Sequence, residues 1–174
     1  NIVFTTDSHV VYPIFFPGGD IGRIAICGTV NDLAMMGGRP IALSCGMVIP
    51  EGFEVADLER IVASMDAALG ECGANLVTGD TKVVERSALD TIIINTAGIG
   101  IAGRVVRDCG LSIGDLIIVS GTLGDHGIAI MAHREGFDFG GQIQSDVSPL
   151  WPLVERALAV VALVRSAARG LGAT

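Results

Sequence analysis

Val77-Thr78-Gly79-Asp80-Thr81-Lys82 sets a carboxylate, a hydroxyl and an amine on consecutive residues directly after an apolar run. Two earlier segments, Thr5-Thr6-Asp7-Ser8 and Thr29-Val30-Asn31-Asp32, also end or interrupt an apolar stretch with an acidic residue. Oxygen ligands from Asp7, Asp32 and Asp80 suit Mg2+, which prefers carboxylates plus substrate phosphates to a closed protein cage. Three such carboxylates could share one cation, although spacing alone does not bring them together. Asn31 and Asp32 sit inside an otherwise apolar helical segment, where an unpaired polar group is costly. They either bond to a neighbouring loop or serve a site, and the sequence leaves both readings open.

Other chemistries fit less well. Gly98-Ile99-Gly100-Ile101-Ala102-Gly103 spells the dinucleotide fingerprint, but that motif needs a helix opening at its second glycine and an acidic residue about 20 positions on. Here Arg104-Val105-Val106 continues a β-rich pattern, so the match is a decoy. No Walker A loop is present. The histidines are His9, His126 and His133, and none has a nucleophile elbow nearby. His126, in Gly121-Thr122-Leu123-Gly124-Asp125-His126-Gly127, is the best candidate for a role. His133 beside Arg134 reads as surface, and His9 fits either reading. No His or Cys pair has zinc-ligand spacing.

The elements that must position these groups are bounded by composition. With 174 residues, 50% hydrophobic and 17% charged, the chain is one or two domains and is not disordered. Mean hydropathy is +0.60, yet the apolar runs fall far short of the roughly 20 residues that cross a bilayer. The surplus points to an oligomer interface or to a fragment of something larger. A net charge of -8 argues against nucleic acid, whereas an acidic protein can bind a nucleotide through a divalent cation. Cys27, Cys45, Cys72 and Cys109 are scattered singly and read as reduced core thiols. No signal segment is evident, so a cytoplasmic location is the default.

In order, the pattern predicts a strand at Ile2–Phe4, a second at Val10–Phe16, and a turn at Pro17-Gly18-Gly19. Asp20 then caps a helix from Ile21 to about Met36, apolar nearly all round. A strand over Ile41–Ile49 follows, then an amphipathic helix from Glu54 to Cys72 with Leu58, Ile61, Val62, Met65, Ala68 and Leu69 on its apolar face. Asn75–Thr78 is a strand delivering Gly79 to Lys82, and Asp90–Ala102 is a long β-rich run. This order favours α+β. A composition break at Gly103–Gly114 puts a domain boundary near residue 109, giving domains 1–108 and 109–174. Beyond it come a strand at Asp115–Ser120, a helix at Ile128–Glu135 and a helix from Pro149 to about Ala168. They are too few for an independent core.

Together, Phe4-Thr5-Thr6-Asp7-Ser8, Phe15-Phe16-Pro17-Gly18-Gly19-Asp20-Ile21-Gly22, Gly28-Thr29-Val30-Asn31-Asp32-Leu33-Ala34-Met35, Val77–Val84 and Ser120–Gly127 resemble the HypE family of hydrogenase maturation proteins. That family lies in the ATP-binding superfamily of AIR synthetase (PurM) and selenophosphate synthetase. The resemblance implies an AIR synthetase (PurM)-like N-terminal domain, a mixed sheet with packed helices, followed by the start of a second α+β domain. It implies a homodimer formed through the sheets, and ATP-dependent dehydration of a cysteine-bound carbamoyl group to a thiocyanate. The cyanide is destined for the iron of a [NiFe] hydrogenase. A HypF-like carbamoyltransferase and a HypC–HypD-like complex are the implied partners, with no nucleic acid or membrane. By residue, Asp7, Asp32 and Asp80 match Mg2+-ATP positions, with Asn31, Gly79 and Thr81 beside them; His126 is placed with the nucleotide-binding residues. Lys82 matches a lysine that takes a proton from the carbamoyl nitrogen, a task that needs burial or a nearby cation.

There are departures. The family's upstream glycine-rich phosphate loop is missing, Ser166 stands where an aspartate is expected, and the C-terminal cysteine tail is missing. The expectation is a HypE-like chain shortened at both ends that does not complete the reaction alone. The alternatives are another ATP-dependent enzyme of the superfamily and a non-catalytic dimerising nucleotide-binding module.

Overall fold

Asp20 ends the Pro17-Gly18-Gly19 turn, and its carboxylate accepts the Arg23 N–H at 3.0 Å, capping the long helix that the apolar spacing predicts. The computed structural model describes residues 1–137 and 141–170, with 162–170 as backbone only. In chain order the elements are β1 (Ile2–His9), β2 (Phe15–Phe16), β3 (Gly19–Asp20), α1 (Ile21–Met35), β4 (Gly38–Pro50), α2 (Val55–Cys72), β5 (Asn75–Val84), a 3-10 turn (Arg86–Ala88), β6 (Ile93–Ala102), α3 (Asp125–Glu135) and α4 (Trp151–Gly170).

The main sheet has the order β1-β6-β4-β5. Its pairs are antiparallel except β4–β5, which run parallel around the α2 crossover. One face carries α1, with α2 packed on that helix. This explains why α1 is apolar nearly all round: Ile21, Ala25, Ile26, Val30, Leu33 and Ala34 are fully buried. Gly22 is needed where the helices meet, since a Cβ there would lie 2.5 Å from the Ile61 carbonyl oxygen. The lead-in to α4 and the helix itself return to the same core, where Trp151 is buried and Val147, Val154 and Leu158 pack against it. Among the described residues the opposite face of the sheet is bare and apolar: Ile2 is 78% exposed, Phe4 61% and Ile101 50%.

The mixed α+β architecture matches the expectation, with local differences. Of Val10–Phe16 only Phe15 and Phe16 form a strand, paired across the turn with Asp20 and Gly19. Asn75–Thr78 and Val83–Val84 merge into one ten-residue strand, β5. Residues 115–120 form no strand; Leu116, Ile117 and Ile118 are exposed, and an apolar run without a partner edge leaves its backbone unpaired. Val62, expected on the apolar face of α2, is half exposed. Of the decoy glycines Gly98 and Gly100 lie within β6 and Gly103 just beyond it; a Cβ on Gly98 would reach 2.8 Å from Thr29 Cγ2, so Gly98 lets α1 sit close on the sheet. Cys27, Cys45 and Cys72 are buried free thiols, and burial pushes the Cys27 thiol up to about 12; Cys109, against expectation, is exposed. Among the described residues no helix is long and apolar enough to cross a membrane.

Candidate functional site

The alternation of β1 turns Val3, Thr5, Asp7 and His9 toward α1. There Thr5 Oγ1 donates to Asp32 Oδ2 at 2.9 Å, and Asp7 Oδ2 lies 3.7 Å from His9 Nε2. Gly28 of α1 makes room for both: a Cβ would stand 2.9 Å from His9 Cε1 and 3.3 Å from Asp7 Oδ2. Asp32 is exposed, so the expectation of a carboxylate buried in an apolar helix is corrected. Asp32 lies at the rim of the α1–β1 contact, where water and Thr5 solvate it.

His9 is the buried member. Its Nε2 meets Thr96 Oγ1 at 3.1 Å, and Thr96 Oγ1 also contacts Thr29 Oγ1 and donates to the Ala25 carbonyl at 3.2 Å. The hydroxyl proton of Thr96 is thus given to a carbonyl, which leaves its oxygen to accept the His9 Nε2–H. Burial pushes the His9 pKa below its ordinary 6.5, against the opposing pull of Asp7 and then Asp32. The unfolded chain therefore takes up this proton first as pH falls. Stability from a neutral His9 is fully present above 6.5 and is lost as pH drops from 6.5 toward the lower folded value. Urea midpoints should fall between pH 7.5 and pH 5, and His9→Gln should flatten that part of the slope. An unchanged slope in the variant would remove His9 as its source.

The other predicted carboxylate is elsewhere. Across the sheet, Asp7 pairs with Thr96, Thr96 with Cys45 and Cys45 with Gly79. Asp80 belongs to the adjoining row with Gly46, Asn95 and Ser8, and alternation puts that row on the opposite face. Three strand spacings of roughly 4.8 Å also separate β1 from β5. Asp7 and Asp32 are therefore brought together and Asp80 is not. Among the described residues no group of three His, Cys, Asp or Glu side chains could hold a metal, which corrects the expectation of one cation shared within the chain. Gly79, Thr81 and Lys82 are exposed with Asp80 on β5. The Ser166 side chain lies outside the described residues.

On its other flank Gly28 lines a cavity of about 730 Å³, shared with Asn31, Thr122, His126, Asp146 and Ser148 among others. A strap over residues 145–150 forms one wall. The Asn31 amide holds it twice, donating to the Ser148 carbonyl at 3.0 Å and accepting the Leu150 N–H at 2.7 Å. Of the two open readings of Asn31, the loop contact is the one observed. Arg23 donates to the Val147 carbonyl at 3.0 Å while its guanidinium forks onto Glu71 at 2.7 and 2.9 Å. His126 Nδ1 lies 2.9 Å from Ser145 Oγ, and its backbone N–H donates to Asp146 Oδ1 at 3.1 Å. Asn31→Ala should cost about 1 kcal/mol in denaturant unfolding, because two half-buried backbone groups lose their partner. A variant with unchanged stability that has nevertheless lost ligand binding would make Asn31 a direct contact instead. A larger cavity, about 1080 Å³ between residues 103–109 and α4, presents no carboxylate or histidine.

Sequence reasoning missed the strap and the threonine network. The spacing of Asp7 and His9 two residues apart on a strand was a usable signal for their shared face. Ser145 and Asp146 carry no such signal, being 19 and 20 residues from His126.

Comparison with known proteins supplies what one chain does not. Residues 1–102 match the family model described as AIR synthase related protein, N-terminal domain. A putative hydrogenase expression/formation protein of Methanocaldococcus jannaschii is 57% identical over 160 residues, 91% of this chain and 47% of that protein. Carbamoyl dehydratase HypE of Cupriavidus necator is 49% identical over 167 residues, 95% of this chain and 48% of that one. The chain thus spans about half the length of the curated relatives it matches. Among solved structures, the HypE–HypF complex aligns with TM-score 0.88 at 49% identity, covering 92% of this chain and 53% of that one. HypE in complex with ATP aligns with TM-score 0.87 at 47% identity, covering 90% and 47%.

Proposed function

Since the chain belongs to the AIR synthase related protein family through its N-terminal domain, we propose that it provides the Mg2+-ATP-binding half of a HypE-type carbamoyl dehydratase. The observation that carries this reading is that Asp7, beside Gly28, and Asp32, one turn further along α1, both act on His9, while Gly28 also lines the 730 Å³ cavity. Residues 1–108 are the nucleotide-binding and dimerising domain and 109–174 the start of the second.

The reaction takes a cysteine-bound carbamoyl group, S–C(=O)–NH2, to a thiocyanate, S–C≡N. The carbon loses its oxygen to the terminal phosphoryl group of ATP and the nitrogen loses two protons, leaving ADP and phosphate. Asp7 and Asp32 fit Mg2+ by chemistry: both are carboxylates with solvent access, and Mg2+ completes its shell with water and phosphate. When bound, it would neutralise phosphate charge. Asp80 and Lys82 reach the site from a second copy of the chain, with Gly79 and Thr81 beside them near the phosphates. The bare apolar sheet face supports such a homodimer, and Lys82, exposed in the single chain, would gain as a proton acceptor from the cover. HypF, solved in complex with HypE, is the partner proposed to supply the carbamoyl group. A HypC–HypD-like complex would receive the cyanide, in the cytoplasm.

Calorimetric titration with Mg-ATP tests the reading. Wild-type chain should bind, and omitting Mg2+ should weaken binding at least about tenfold, one charge-assisted interaction. Absence of binding, or binding indifferent to Mg2+, would sink it.

A further inference from the structure

His126 is held at three points. Its backbone N–H is taken by Asp146, its Nδ1 faces Ser145 Oγ at 2.9 Å, and the Phe16 ring meets it edge-on at 5.3 Å and 74°. Ser145 is fixed in turn. Its N–H donates to the Pro17 carbonyl at 2.8 Å, close against Gly18, where a Cβ would stand 2.7 Å from the Ser145 nitrogen. Gly18 also has φ +90°, so a side chain there would both strain the backbone and displace the strap.

The hydroxyl decides the histidine's tautomer. Ser145 Oγ accepts the Val147 N–H at 3.2 Å, which uses one of its lone pairs. Its single proton then needs an acceptor, and among the described residues His126 Nδ1 is the one in reach. A proton already on Nδ1 would turn the serine proton away from this acceptor and out toward solvent, since Ser145 is half-buried. With Nδ1 accepting, the neutral ring must carry its hydrogen on Nε2. No described residue bonds Nε2, although the side chain lines the 730 Å³ cavity.

We propose that Ser145 is a positioning residue that fixes His126 as the Nε2–H tautomer, so that the ring offers one N–H donor to a phosphoryl oxygen in the cavity. The identity of the ligand rests on the nucleotide reading above; the tautomer does not. Asp146 takes part by engaging the His126 backbone N–H, which leaves the ring nitrogen as that residue's remaining donor.

Two measurements test this separately. In protein labelled with 15N-histidine and recorded at alkaline pH, the His126 nitrogens should report a protonated Nε2 and a bare Nδ1. Ser145→Ala should shift them toward a tautomer mixture, and Ser145→Thr should restore them. In Mg-ATP titrations His126→Asn should bind about tenfold more weakly than His126→Gln, whose amide nitrogen can stand near the place of Nε2. A wild-type Nδ1–H signal, or His126→Asn binding as well as His126→Gln, overturns the inference while leaving the nucleotide reading intact. A wild-type chain that binds no Mg-ATP takes down that reading and the donor role together, whatever the spectrum shows.

Discussion

Asp7→Asn and Asp80→Asn chains, each impaired in Mg-ATP binding when alone, should regain sites when co-expressed. The two residues lie on opposite faces of the sheet and on its two outer strands, β1 and β5. If a site needs both, they come from different chains. Each single variant should lose affinity by at least about tenfold, one charge-assisted interaction removed. In a two-fold dimer assembled at random from both variants, half the dimers are mixed and each holds one intact site. About one quarter of all sites should therefore bind as wild type. Native mass spectrometry of chains carrying tags of different mass confirms that mixed dimers form, and titration counts the sites. No recovery in proven mixed dimers would show that Asp80 acts within its own chain or not at all.

Gly22→Ala should destabilise the fold although alanine is the better helix former. The added Cβ would sit 2.5 Å from the Ile61 carbonyl oxygen and 2.9 Å from Ile61 Cγ2. The carbonyl belongs to the α2 backbone and cannot swing away, so the helices must part where Ile21, Ile26 and Ile61 are fully buried. Overpacking of this kind costs about 1–3 kcal/mol, or roughly 2–10 °C in Tm for a chain of this size. Gly70→Ala provides the contrast. That glycine is on the exposed side of α2 with nothing within 4 Å of a new Cβ, so helix propensity alone should raise stability by about 0.5–1 kcal/mol. Thermal melts of both variants decide the matter; equal shifts would mean that the α1–α2 contact relaxes freely.

The contrast between these glycines shows what the sequence could convey. Local signals were legible: the Asp20 cap, the end of α2 at Gly73, and the apolar spacing of Ile61, Met65 and Leu69 follow from residues within a turn or two of each other. Motif strings singled out Asp7 and Asp32, and the structure places both near His9. Long-range placement was not. Nothing near Asp80 reveals that β6, late in the chain, inserts between β1 and β4 and so separates Asp80 from Asp7. Asn31 was ambiguous for a related reason, since its partners Ser148 and Leu150 lie more than a hundred residues away. The apolar run at residues 115–120 misled because strand propensity describes a fit to a neighbour that the run does not have.

β5 has a further consequence. It is ten residues long, almost wholly exposed, and at the margin of the sheet, so among the described residues one row of its peptide groups has no strand beside it. Such a margin templates the addition of foreign strands, and Leu76-Val77 with Val83-Val84 would favour runaway stacking. Asp80 and Lys82 interrupt that apolar sequence at its middle. Whatever they contribute to chemistry, these charges also guard the newly made chain against polymerising before its proper contacts form.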